Sequence, residues 1–209
     1  MAYYSPKLRT YPSESFGGGV GQNFKPSRGT YDCPINKVAI FGHSYVHRLF
    51  IEKPVIHPGI AFRKFSLPGA RVDNIRNHHI FADLVNYQPD LTFLVIGGND
   101  INSNTVPRDL AHAIQDLCQD IETQAGGRCI IIGIEKRTNP RNISEADYRR
   151  VKNAVNRWLH RQLPYAKRRF EPMAMTTEDL AWDGVHMTPA GSEKLFERLV
   201  TITLAHFDA

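Results

Sequence analysis

Ser44, Gly69, Asn99, Asp183 and His186 are residues of the types that acyl transfer through a serine requires, and each stands in or beside a glycine-containing polar break. Ser44 follows Gly42-His43, and Gly69 lies in Pro68-Gly69-Ala70. Asn99 lies in Gly97-Gly98-Asn99-Asp100, and the other two lie in Asp183-Gly184-Val185-His186. Serine chemistry of this kind needs a hydroxyl, a base within hydrogen-bond reach, a group that fixes the base's tautomer, and donors aimed at the developing oxyanion. Ser44 offers the hydroxyl and His186 the base. Asp183, three residues before His186, can fold back onto the other ring nitrogen. The backbone N–H groups of Ser44 and Gly69 and the side-chain amide of Asn99 are candidate oxyanion donors. Each residue also has a plainer reading. Ser44 and Asp183 suit helix N-caps, His186 can be packed or solvent-facing, Gly69 is a turn glycine after a proline, and Gly97 to Asp100 can be a strand-to-helix turn.

These segments can act together only if the elements around them deliver them to one edge. In KVAIFGHSYVHR, Lys37 to Arg48, the apolar run Val38 to Phe41 ends at Gly42, as a central parallel strand buried on both faces does. Tyr45 to about Phe50 reads as a short helix, which would put free N–H groups and a positive dipole end beside Ser44, and Pro54 to Pro58 reads as a loop. Further strands are expected at about Phe62 to Leu67, Leu91 to Ile96, Cys129 to Ile134 and Arg169 to Pro172. Helices are expected over Val72 to Val85, over Pro107 to Ala125, from Ser144 with Asp147 as its box partner, and after Thr188-Pro189-Ala190-Gly191 to about His206. Five strands separated by helices predict a three-layer α/β fold with a mainly parallel sheet. In such sheets ligands bind beyond the carboxyl ends of the strands. Ser44, Gly69 and Asn99 all follow such ends.

The order GHS, a glycine block, GGND, then DGVH with Thr-Pro-Ala-Gly resembles the SGNH hydrolases, also called GDSL-type esterases and lipases. The resemblance covers about residues 37 to 206. It implies a flavodoxin-like α/β/α sandwich, with Ser44 as nucleophile, Ser44, Gly69 and Asn99 as oxyanion donors, and His186 as base oriented by Asp183. It implies a serine esterase acting on carboxylic esters of small or lipid-like molecules, with no metal or organic cofactor. Where the family motif has Gly-Asp-Ser, this chain has Gly42-His43-Ser44, so a histidine replaces the acid that helps hold the nucleophile loop. A GHS sequence with a basic profile is also similar to SGNH-like domains of some retroelement reading frames, and some SGNH-like domains have lost catalysis and bind RNA. That supplies the competing expectation of a nucleic-acid-binding scaffold.

Composition bounds the rest. The length of 209 residues suits one domain, residues 36 to 209, preceded by a Tyr-, Ser-, Pro- and Gly-rich arm, residues 1 to 35, expected to be flexible. The arm's GGGVG lacks the preceding strand and the Gly-Lys-Ser/Thr ending of a phosphate loop. No apolar run is long enough to span a bilayer, and no signal-peptide h-region opens the chain, so an intracellular, cytoplasmic or nuclear, location is expected. Cys33, Cys118 and Cys129 form neither a disulfide framework nor a CxxC pair. The net charge of +5 is uneven: residues 128 to 169 hold twelve Lys or Arg against three acids, a balance of +9 that leaves −4 elsewhere. That stretch reads either as a solvated face or as a contact for nucleic acid. Glu135 and Arg137, just after a strand, read either as neighbours of the crevice or as a surface ion pair, and Tyr45, Phe50, Phe62 and Trp182 as core or acyl-slot aromatics.

Overall fold

A computed structural model describes residues 35–49, 55–57, 59–162 and 170–208. Residues 1–34 of the expected arm, Cys33 among them, Phe50 and the basic residues Lys167 to Arg169 lie outside the described residues. In chain order the elements are β1 (Asn36–Gly42), α1 (Ser44–Arg48), β2 (Val55–His57), β3 (Ile60–Ser66), α2 (Val72–Arg76), α3 (His79–Tyr87), β4 (Leu91–Val95), α4 (Pro107–Gln124), β5 (Arg128–Ile132), α5 (Glu145–Gln162), β6 (Phe170–Glu171) and α6 (Pro189–Phe207).

The strands form one sheet in the order β2-β3-β1-β4-β5-β6. β1, β3, β4, β5 and β6 run parallel, the five strands the sequence predicts, and β2 adds an antiparallel edge where a loop was expected. β1 is central and its run Val38–Phe41 is fully buried. Alternate side chains feed two cores. Ala39 and Phe41 pack with residues of α2 to α5, such as Ile75, Leu84, Ile114 and Val155. Val38 and Ile40 pack with Tyr45 and Val46 of α1 and Leu195 and Leu199 of α6. The result is helices on both faces of a mainly parallel sheet, the expected α/β/α sandwich.

The region expected as one helix from Val72 to Val85 is instead two. The polar run Asn77-His78-His79 interrupts it: Asn77 leaves the helical region, and His78, extended, accepts the Ile80 N–H on its ring nitrogen and caps α3. The other helix starts follow their chemistry. Pro107 and Pro189 sit at first helical positions, where a missing N–H costs nothing. Thr188 caps α6 by accepting from Gly191 N–H. Ser144 and Asp147 close a reciprocal pair at the start of α5.

Register matters most for function. Gly42 lies opposite Ser66 on one side and Val95 on the other. Three strands therefore end level, and the segments carrying Ser44, Gly69 and Asn99 leave the same edge. Gly42 cannot carry a side chain, because a Cβ there would run into the Val95 carbonyl. That carbonyl instead accepts the His43 N–H at 3.2 Å. Among the described residues no helix is long and apolar enough to cross a membrane.

Candidate active site

Ser44 is buried at the first position of α1, and the N-cap is His43 rather than Ser44. The imidazole Nδ1 of His43 accepts the Tyr45 N–H at 3.3 Å, so the ring does the work a carboxylate or serine does at other N-caps. Burial, with the positive fields of Arg137 and His186, pushes the His43 pKa down to about 3, so the ring is neutral and Nδ1 keeps its lone pair. Ser44 Oγ makes no hydrogen bond to a described residue. Its hydroxyl is therefore not spent on capping.

His186 is held tightly by Asp183. Asp183 Oδ2 lies 2.6 Å from His186 Nδ1, while Oδ1 accepts the N–H groups of Val185 and His186, both at 2.9 Å. Burial acts to raise the Asp183 pKa, but the ring and the two N–H groups outweigh it and keep the carboxyl well below its usual range. A carboxylate at Nδ1 fixes the tautomer with the proton there and leaves Nε2 as acceptor. The turn itself is clamped from two sides. Tyr45 Oη donates to the Val185 carbonyl at 2.6 Å, and the Gly184 carbonyl accepts from Thr138 N–H at 2.8 Å. Gly184 has φ +65°, and a Cβ there would strike Thr138 and Asn139.

In the loops after β3 and β4, the Gly69 N–H donates to no described residue. Asn99 Nδ2 donates to the Ala70 carbonyl at 2.9 Å, and Asn99 Oδ1 accepts from Arg137 Nη2 at 2.9 Å. A carbonyl on one side and a guanidinium on the other fix which way the amide faces. One Nδ2 hydrogen remains for a ligand. Asp100 ties the loop to α2 by accepting the Val72 N–H at 3.0 Å, and burial raises its pKa to about 6.

The structure thus places Ser44, Gly69 and Asn99 on one sheet edge, pairs His186 with Asp183, joins the two groups through Tyr45, and holds Asn99 through Arg137. Sequence reasoning missed the roles of those last two. Arg137 and Glu135 are not a surface pair: each is only 7% exposed, and Arg137 reaches inward to Asn99 with its guanidinium 5.6 Å from the Tyr148 ring centroid. Position favours the crevice reading of both, since they follow β5 at the edge where the other loops emerge. Tyr45 and Phe62 are core residues, whereas Trp182 is 99% exposed. Arg149, Arg150, Arg157 and Arg161 are exposed on α5, but Lys152 is only partly so, and Arg137 is buried. Arg137 is therefore no part of an exposed basic face with the arginines of α5.

A model of the GDSL-like lipase/acylhydrolase family matches residues 30–194. No curated protein sequence matches the chain. Among solved structures, the native aryl esterase of M. smegmatis is similar with a TM-score of 0.66 at 15% identity, over 81% of this chain and 99% of that one. The lipase/acylhydrolase of Enterococcus faecalis gives 0.61 at 15% identity, over 81% and 95%. TesA gives 0.60 at 19% identity, over 81% and 98%. At such identities these likenesses establish the shared fold.

Proposed function

The chain belongs to the GDSL-like lipase/acylhydrolase family, and from that premise we propose that it is a serine esterase that hydrolyses carboxylic esters, acetyl or longer acyl, through an acyl-enzyme. The hydrolase domain on this reading is residues 36 to 209. Ser44 Oγ attacks the ester carbonyl as His186 Nε2 takes its proton. Asp183 steadies the imidazolium that forms. The N–H groups of Ser44 and Gly69 and the remaining Nδ2 hydrogen of Asn99 receive the oxyanion. Collapse expels the alcohol, protonated by His186, and water activated by the same ring releases the acid.

The observation that supports this reading most is the three-point hold on Asp183 with its 2.6 Å contact to His186 Nδ1. The two Oδ1 contacts are those of an ordinary Asx turn; the Oδ2 contact to the ring nitrogen is the part that a base requires. Hydrolysis of p-nitrophenyl acetate through octanoate by the wild type, Ser44→Ala and His186→Ala tests it. Both variants are expected to lose on the order of 10³-fold or more in kcat/KM. A wild type no faster than Ser44→Ala at every acyl length would refute the serine mechanism.

A further inference from the structure

Trp182 is 99% exposed and stands directly before Asp183. Single exposed aliphatic side chains are ordinary, but tryptophan is highly buried on average. This indole does not ride on a loose loop. Gly184 N–H donates to the Ala181 carbonyl at 2.9 Å and closes the turn over Trp182 and Asp183, and Ala181 N–H donates to the His186 carbonyl at 2.7 Å. The Gly184 carbonyl accepts from Asn139 N–H as well as from Thr138, and buried Leu180 and Met187 bridge at the base of the turn. Folding thus fixes the backbone here, yet the side chain covers no described residue. The other large apolar side chains exposed among the described residues are Val106, in the loop after β4, and Ile35, ahead of β1 at the opposite edge. Trp182 shares the edge of Val106, since its turn is tied to Tyr45 just past β1 and to Thr138 past β5.

Three kinds of occupant could cover an indole placed this way. A small molecule in a site is enclosed on several sides, whereas a side chain 99% exposed has no wall beside it. A stable protein interface buries about 800 Å² on each partner, and an indole supplies at most about 250 Å². The residues nearest it are small or polar, with Asp183 and Gly184 in the turn and Asn139 packed against Gly184. A phospholipid surface asks for neither walls nor a matching shape. It accepts one amphipathic ring, with the apolar body at the acyl boundary and the N–H among the headgroups. We propose that Trp182 is an interfacial anchor that docks the carboxyl edge of the sheet on a phospholipid bilayer. The contact is peripheral and reversible, because one ring buries less apolar surface than a single acyl chain, which by itself binds only marginally. Docking would hold this edge, and Ser44 with it, at the layer from which a lipid ester is drawn. That purpose rests on the esterase reading; the bilayer contact does not.

The chain has two tryptophans, so the full-length Trp158→Phe protein leaves Trp182 as the sole indole reporter. Titrated with phosphatidylcholine vesicles, its emission is expected to shift to the blue and to be quenched by lipid brominated along the acyl chain. Flotation with the same vesicles gives a second readout on chains that keep Trp158. There Trp182→Ala is expected to lower the apparent partition coefficient at least about tenfold relative to the wild type. The lost side chain covers nothing in the fold, and the emission of Trp158, which packs edge-on against His112, reports that the variant is folded. Absence of both blue shift and quenching would overturn the proposal. So would binding confined to phosphatidylglycerol vesicles, lost at high salt and unchanged by Trp182→Ala, which would assign the contact to the arginines of α5. A dimer seen by sedimentation without lipid, and dissolved by Trp182→Ala, would overturn it in favour of a second copy. Wild-type turnover of p-nitrophenyl butyrate is measured in parallel. Its absence with quenching intact would refute the esterase reading and not the anchor, and turnover without quenching would refute the anchor alone.

Discussion

Replacing Arg137 by methionine separates a positioning role from a structural one. In the wild type, Arg137 Nη2 donates to Asn99 Oδ1 at 2.9 Å and Asn99 Nδ2 donates to Ala70 at the same distance, so the amide is held at both ends. Methionine keeps the stem's packing beside Tyr148 and removes the donor. Hydrogen bonds to charged groups are worth about 1.5–3 kcal/mol, and loss of a whole oxyanion donor costs about 10²–10³ in kcat. Because the Ala70 contact survives, the amide is loosened rather than lost. The expected fall in kcat is about 10–100-fold, or about 1.4–2.8 kcal/mol of transition-state stabilisation, with KM nearly unchanged. The assay is steady-state hydrolysis of p-nitrophenyl butyrate by the wild type, Arg137→Met, Asn99→Ala and the double variant. If Arg137 acts through Asn99, the double variant is no slower than Asn99→Ala. Losses that multiply in the double variant would refute the reasoning, because Arg137 would then contribute by another route.

Three further outcomes follow from burial and backbone geometry. His43 is a base with a depressed pKa, so below its ordinary value of 6.5 the unfolded chain takes up a proton that the folded ring refuses. Stability should drop as pH falls from 6.5 towards about 3, by up to about 4 kcal/mol. His43→Asn, which keeps a capping acceptor, should flatten that slope in urea unfolding; an unchanged slope would count against a neutral His43. Glu135 is an acid with a raised pKa, so the sign reverses. The folded chain holds a proton that the unfolded chain releases above 4.5, and stability should fall between 4.5 and about 7 by up to about 3 kcal/mol. Glu135→Gln should be more stable than the wild type at pH 8 and equal to it at pH 4, and no difference at pH 8 would sink the assignment. Gly184→Ala forces a Cβ into Thr138 and Asn139 at φ +65° and should cost about 1–3 kcal/mol. It should also lower kcat by displacing the Asp183–His186 turn; wild-type kcat would show that the turn tolerates the shift.

The parallel strands were legible because their signal is local. LTFLVI before Gly97 and CIII before Gly133 are apolar runs too short for helices and closed by glycine. β2 was not legible, since three residues beside prolines carry no period, and its pairing with β3 is a tertiary event. The break between α2 and α3 depends on His78 turning its ring onto the Ile80 N–H, a capping choice that an apolar periodicity passes over. The candidate site divides in the same way. Ser44, Asn99, Asp183 and His186 stand in short motifs whose residue types declare their chemistry. Arg137 and Tyr45 work through partners 38 and 140 residues away, and no local pattern encodes such partners. His43 shows a third case. The substitution was visible, but that an imidazole nitrogen could take over the cap depended on burial keeping it neutral.

The hydrogen bond from Tyr45 to Val185 has a consequence in time. It joins the helix of Ser44 to the turn of Asp183 and His186 across 140 residues. During synthesis at about 5–20 residues per second, the segment bearing Ser44 emerges on the order of ten seconds before the residues that would activate it. Contacts this distant in sequence form late, because their loops are entropically costly to close. A nascent chain can therefore pair β1 with β3 and β4 and bury Ser44 while it still lacks a base. On the serine-esterase reading, Ser44 stays chemically silent until the Asp183–His186 turn docks, and completion of the fold is itself the event that arms it.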